Sequence, residues 1–259
     1  MTEEVALDIV KYIVNNSEPG RPITIEWFGG EPLYNSRIID IISSNVCSAG
    51  IDFTSNMISN GYLFTDELIS KASSLWKLQD VQITLDGTEE VYNKTKRYIY
   101  QGNPFKTVIG NIHKLLQANI HVTIRLNCNK NNYKNLIELV KFIKEEFKGY
   151  GNISMYVWEI FSETKRSVEE ANEQFKCMEE VDRAICESGM ATSGIITSGI
   201  KSQHCLVDTG QGVNIDMEGN LFLCEHHIGN DFFGDIYHPE IKDFNNFKKW
   251  RNYTDNHSE

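Results

Sequence analysis

The residues best suited to chemistry stand in the run Ile23-Thr-Ile-Glu-Trp-Phe-Gly-Gly-Glu-Pro32. A β-rich stretch leads directly into two glycines, a carboxylate and a proline. Gly29 and Gly30 open backbone conformations closed to other residues and allow close approach to a ligand. Glu31 sets an acceptor beside exposed carbonyls, and Pro32 removes a donor and restricts the turn. The product is a small acceptor-lined notch at the carboxyl end of a strand, suited to an ammonium group. An ordinary strand-to-helix turn has the same composition, because Gly and Pro dominate turns.

Further polar residues end other β-rich stretches. Asn60 lies in Ser59-Asn-Gly61, and Thr84 and Asp86 lie in Ile83-Thr-Leu-Asp-Gly87. Thr84 and Asp86 share one strand face, as do Arg125 and Asn127, because strand side chains alternate. Lys96 and Arg97 follow Asp86 at a distance that can bring a cation to its carboxylate. Singly, such residues serve as caps, turns or surface pairs. Together, at the ends of neighbouring strands, they converge on one mouth.

The elements that must position them read as alternating helix and strand. Helical periodicity covers 5–14, 36–47, 105–118, 132–147 and 168–188, and a helix follows Thr65, a capping residue. Strands are expected over 23–28, 53–58, 81–85, 121–127 and 153–160. Short connections between helices and strands imply parallel pairing and right-handed crossovers. The chain has no GxGxxG or P-loop run to support a nucleotide-binding open sheet. Polar strand ends favour a barrel, where ligands meet the carboxyl ends of the strands. Past Ser188 the chain turns rich in Gly, Ser and Thr, then shows a hairpin over 213–216 and 220–223. The expected organisation is therefore 1–188 and 189–259.

Composition sets the outer bounds. The 259 residues suffice for a full core, with 41% hydrophobic and 24% charged residues. A formal net charge of −11 argues against non-specific binding to nucleic acid or to an anionic membrane, and is compatible with a basic peptide partner. No apolar run approaches the roughly 20 residues of a membrane span. The acidic start Met-Thr-Glu-Glu opens a helix and is unlike a signal peptide, so the expected location is the cytoplasm, with reduced thiols. The six cysteines, at 47, 128, 177, 186, 205 and 224, form no CxxC or CxxxC. Cys205 and Cys224 with His226 and His227 admit a zinc reading, but adjacent histidines on an extended segment point to opposite faces. Plain buried cysteines are the other reading.

Trp27-Phe-Gly-Gly-Glu-Pro32, then Ile58-Ser-Asn-Gly-Tyr-Leu-Phe-Thr-Asp-Glu-Leu68, then the run from Val81 to Lys96 occur in this order. The series resembles the radical S-adenosylmethionine (radical SAM) family, in its peptide-modifying branch with a SPASM-type domain, akin to anaerobic sulfatase maturases. The resemblance runs from about Glu3 to about Gly229. It implies a partial (β/α)6 TIM-like barrel lacking its first strand, followed by the start of a small SPASM-type domain. The family's CxxxCxxC loop is absent. The resemblance therefore implies a chain truncated at both ends, with that loop upstream.

The resemblance also assigns roles. Gly29, Gly30 and Glu31, with Pro32, would hold the amino group of S-adenosylmethionine (AdoMet). Thr84 takes the place of a family serine that meets the AdoMet carboxylate. The family's arginine partner falls at Lys96, with Arg97 beside it, and lysine supplies a point charge where arginine supplies a fork. Asn60, Arg125 and Asn127 would contact the ribose or the methionine. Cys205 and Cys224 match the opening ligands of an auxiliary [4Fe–4S] cluster, an incomplete set because a cubane needs about four thiolates. Glu225 takes the place of an aspartate that acts as base in sulfatase-maturing relatives. The family reaction passes an electron from a [4Fe–4S] cluster, itself reduced by a donor such as flavodoxin or ferredoxin, to AdoMet. A 5′-deoxyadenosyl radical then takes hydrogen from a peptide or protein substrate. A degenerate, cluster-free relative that binds a peptide or AdoMet is the alternative.

Overall fold

The computed structural model describes residues 1–96, 102–159, 167–190, 212–225, 232–238 and 243. Arg97, Cys205, His226 and His227 lie outside the described residues. The chain divides into two compact units. One holds Met1–Ile23, Arg37–Asp52 and Ile200–Glu259; the other holds Thr24–Ser36 and Phe53–Gly199.

The larger unit is built on five strands: β1 (Ile23–Trp27), β2 (Phe53–Ser59), β3 (Leu78–Thr84), β4 (His121–Cys128) and β5 (Ile153–Glu159). They pair in sequence order, β1-β2-β3-β4-β5. The pairings from β2 to β5 are parallel. Between them run α3 (Asp66–Ser74), α4 (Glu89–Thr95), α5 (Pro104–Gln117) and α6 (Tyr133–Glu146), with α7 (Val168–Ser188) after β5. Sequential parallel order with intervening helices is the α/β pattern of a partial TIM-like barrel. Helix starts are chemically explicit. Thr65 accepts from Leu68 N at 3.2 Å, as its type suggested, and Ser167 and Glu170 form a capping box at α7.

Parallel strands are normally apolar on both faces, because helices cover both. Here one face differs. Met57, Val81, Ile83, Val122, Ile124, Leu126, Met155 and Val157 are buried. Helices α3, α5, α6 and α7 pack against strands of this sheet. Apart from Ile58, the alternate residues on the other face of β2 to β5 are polar or aromatic and mostly half-exposed. They include Asn56 on β2, then Asp80, Gln82 and Thr84 on β3. His121, Thr123, Arg125 and Asn127 follow on β4, with Tyr156 and Trp158 on β5. Register keeps these residues in rows: Asp80 faces His121, Gln82 faces Thr123, and Thr84 faces Arg125, which faces Tyr156. A polar inner face on a parallel sheet is what a ligand-holding barrel lumen requires, in contrast to a side-chain-filled core.

The smaller unit holds α1 (Glu3–Asn16), most of α2 (Ser36–Ser48) and an antiparallel sheet of β6 (Asn214–Ile215), β7 (Asn220–Phe222) and β8 (Gly234–Asp235). The expected hairpin is present, with Gly219 at φ +89° in its turn. The third strand pairs Asn220 with Asp235 and Leu221 with Gly234. Leu221, Leu223 and Phe233 form a buried cluster against Tyr12, Ile215, Cys224 and Ile236. No helix among the described residues is long and apolar enough to cross a membrane.

Candidate cofactor and substrate site at the strand ends

The polar ends of β1 to β5 are tied into two hydrogen-bonded groups. The first is centred on Glu31. Its Oε1 accepts from the Ser59 hydroxyl at 2.9 Å and from Leu33 N at 3.2 Å. Its Oε2 accepts from Asn60 N at 2.7 Å. The carboxylate therefore links the turn after β1 to the end of β2 and caps the 3-10 turn Pro32–Asn35. A carboxylate offers about four acceptor sites, so three donors leave one for a ligand. Gly29 has φ +142°, and a Cβ built at Gly29 or at Gly30 would meet nothing within 4 Å. The notch is thus open on its glycine side, as an approaching ammonium group needs. Phe28 and Tyr34 flank it and are 48% and 62% exposed.

The second group spans β3, β4 and β5. Lys96 Nζ lies 2.5 Å from Asp86 Oδ2, and Asn127 Nδ2 donates to Asp86 Oδ1 at 3.0 Å. Asn127 Oδ1 accepts from Arg125 Nε at 2.9 Å. Both ends of the Asn127 amide are therefore engaged, which fixes its orientation. The Arg125 guanidinium sits over the Trp158 ring at 5.7 Å. Thr84 is the register partner of Arg125. Asn60 Oδ1 accepts from Tyr62 N at 2.8 Å, so its side chain shapes its own turn. Among the described residues, the sequence-derived set is brought together as far as Asp86, Lys96, Arg125 and Asn127 are concerned. Lys96 is committed to Asp86, while Arg125 has no carboxylate within 4 Å among the described residues.

The residues that hold these loops escaped sequence reasoning. Buried Asn111 on α5 donates to Gly61 O at 2.9 Å and Tyr62 O at 3.1 Å, fastening the turn after β2. Asn135 on α6 accepts from Thr88 N and donates to Thr88 Oγ1, both at 2.9 Å, fastening the turn after β3. Asn132 donates to Asn127 O at 2.8 Å after β4. Gln174 on α7 donates to Cys128 O at 2.9 Å. Each is an amide that satisfies backbone groups released where a strand ends. Their spacing carries no signal separating them from surface asparagines. Ser59, adjacent to the expected Asn60, was the one legible partner.

The cysteines behave differently. Cys128 is fully buried, and burial together with nearby Cys177 pushes its thiol up to about 12. Cys224 is half-buried against the apolar cluster of the smaller unit, and Glu225 is exposed beside it. Among the described residues no group of three or more His, Cys, Asp or Glu side chains is placed to hold a metal ion. With no CxxxCxxC in the chain, these residues do not fit a catalytic [4Fe–4S] cluster. The open notch and its spare acceptor do fit an amino acid ammonium group.

No protein-family profile and no curated protein matches the chain. Solved structures do. The structure of anSMEcpe with bound AdoMet is 15% identical, with a TM-score of 0.69, over 98% of this chain and 73% of that one. The structure of anSMEcpe with AdoMet and the Kp18Cys peptide gives 14% identity and 0.67, over 98% and 74%. The Streptococcus suis SuiB structure bound to S-adenosylmethionine gives 13% and 0.65, over 97% and 61%. At these identities the likeness shows the fold: the chain carries the α/β fold of the radical SAM enzymes anSMEcpe and SuiB.

Proposed function

We propose that this chain provides the AdoMet-binding and peptide-facing part of a radical SAM peptide-modifying enzyme. The single observation that carries the reading is the half-exposed polar face of a parallel sheet, ending in the Glu31 clamp and the Lys96–Asp86–Asn127–Arg125 network. The fold likeness supports it, since anSMEcpe is solved with AdoMet and with a peptide. In this reading Gly29, Gly30 and the spare acceptor of Glu31, ahead of Pro32, take the AdoMet ammonium. Asn60, Thr84 and Asn127 face its carboxylate and ribose. Lys96 and Asp86 act as a positioning pair that holds Asn127. Bound AdoMet supplies a hydrogen-abstracting group in a radical enzyme. The protein's own part is to orient it on rigid strand ends and exclude water.

Radical generation needs thiolates that these 259 residues do not supply in one place, and an electron donor of the ferredoxin or flavodoxin kind. Cys205 and Cys224 belong, in this reading, to an incomplete SPASM-type auxiliary site in 189–259, with Glu225 beside it. The missing CxxxCxxC favours a second reading, a cluster-free AdoMet- or peptide-binding protein. A cytoplasmic location agrees with either. Equilibrium dialysis with AdoMet, coupled to iron and sulfide analysis after anaerobic reconstitution, separates them. AdoMet retained with bound iron and sulfide supports the enzyme reading. AdoMet retained without iron supports the AdoMet-binding protein, and no AdoMet retained overturns the enzyme reading and leaves the peptide-binding form of the second.

A further inference from the structure

We propose that Arg125, Trp158 and Gln82 form a carboxylate receptor for the peptide, so that the substrate presents an acidic group within the barrel. This rests on the peptide-modifying reading above. Three observations carry it. First, Arg125 spends only Nε on Asn127 and stands against Trp158. Its two Nη groups have no hydrogen-bond partner among the described residues. An arginine fork presents two parallel donors, the geometry that a carboxylate matches. Second, Gln82 Oε1 accepts from the Tyr156 hydroxyl at 2.6 Å, while buried Gln82 Nε2 has no partner among the described residues. A buried donor left open calls for an acceptor. Third, β4 lies between β3 and β5, so Tyr156, the register partner of Arg125, reaches across β4 to Gln82 and links the two sides of Arg125.

Position separates the receptor from the AdoMet ammonium, and saturating AdoMet separates it from the AdoMet carboxylate. An ammonium at Gly29–Glu31 sits at the end of β1, and the AdoMet carboxylate is bonded to the same carbon. Arg125 is on β4, three strand spacings away at about 4.8 Å each, or about 14 Å along the sheet. Thr84, the register partner of Arg125, lies between the two, so a receptor that still takes the acid probe at saturating AdoMet is the peptide's. Trp158, 42% exposed, sets an apolar ring against the guanidinium. The formal charge of −11 repels an acidic peptide at long range, so one carboxylate in an otherwise neutral or basic peptide suits this site. That carboxylate is either an Asp or Glu side chain or the peptide's carboxyl terminus.

The test is an NMR titration of the full chain, followed at the Arg125 Nε–H and Trp158 indole N–H signals. Probes are N-acetyl-glutamate N-methylamide, its glutamine analogue and N-acetyl-glycine. The glutamate probe or N-acetyl-glycine should bind at least about tenfold tighter than the glutamine probe, as a charge-assisted bidentate pair requires. The preferred acid tells a side chain from a terminus. Arg125→Gln should abolish the preference, and Arg125→Lys, the variant to use if that protein fails to fold, should keep only part of it. Equal binding of acid and amide probes, or a preference unchanged in Arg125→Gln, overturns the inference. So does loss of the glutamate response at saturating AdoMet. AdoMet binding is read separately at the Gly29 and Gly30 amides. Failure there with acid preference intact sinks the AdoMet reading and spares the receptor.

Discussion

Glu31→Gln is the substitution whose cost follows most directly from the geometry. The carboxylate takes three donors: Ser59 Oγ and Leu33 N on one oxygen, Asn60 N on the other. A glutamine amide is nearly isosteric but keeps one acceptor. If its NH2 replaces Oε2, it meets the Asn60 N–H at the site of a 2.7 Å bond, donor against donor. If it replaces Oε1, Leu33 N loses its partner and the Ser59 hydroxyl must turn. That hydroxyl also accepts from Gly61 N at 3.0 Å, so the turn after β2 is disturbed as well. Either way at least one charge-assisted bond is lost and a donor is stranded, a cost of about 2 kcal/mol. For a chain of this size that lowers Tm by about 4–8 °C. Thermal unfolding followed by circular dichroism reads the shift, and urea unfolding reads the free energy. A cycle with Ser59→Ala should return a coupling of about 1 kcal/mol or more. A variant within about 0.5 kcal/mol of wild type would refute the clamp, because that is the range of featureless surface changes.

Other outcomes follow from the same structure. Gly87→Ala should cost about 2 kcal/mol, since its Cβ would stand 2.6 Å from Asn135 Oδ1 and 2.7 Å from Val91 Cγ1. Gly30→Ala, with nothing within 4 Å, should stay within about 0.5 kcal/mol in the same urea series. Burial raises the Asp80 pKa above 3.8, against the lowering effect of the Thr123 hydrogen bond and of His121. A raised carboxyl stabilises fully below its unfolded value and loses that contribution as pH rises through the folded value. Asp80→Asn should therefore be more stable than wild type at pH 7, with the difference shrinking below about pH 4; a constant difference across that range contradicts the burial effect. Cys128, held protonated, should resist iodoacetamide at pH 8 while exposed Cys47 and Cys186 are labelled. Mass-mapped labelling of Cys128 before the others would show that the end of β4 is open.

The helix–strand order was legible because apolar residues alternate along β4 and β5 and the helices carry clear periodicity. The lumen face hid detail. β3 begins at Leu78, three residues before the expected Val81, because Gln79 and Asp80 break the apolar run that marks a strand. The helix Glu89–Thr95 was not expected as a separate element; it brings Lys96 back to Asp86. β8 escaped because two residues, Gly234 and Asp235, carry no periodicity. At the site, residue types at strand ends singled out Asp86, Arg125 and Asn127, and the structure joins these three by hydrogen bonds. Which of them pair was not legible: that Lys96 is spent on Asp86 while Arg125 keeps two open nitrogens depends on side-chain placement. The same holds for Asn111, Asn132 and Asn135, whose targets lie across a loop, and for grouping α1 with the hairpin, which joins the two ends of the sequence.

The central claim is that the open notch at Gly29–Glu31 binds AdoMet, and isothermal titration of AdoMet into the wild type and into Gly30→Val tests it most directly. The wild type should give a saturable one-site isotherm. Gly30→Val should fold with near-normal stability, since open space surrounds that position, yet lose affinity by about tenfold or more as its side chain fills the notch. No heat from the wild type, or equal affinity in the two proteins, would contradict the account.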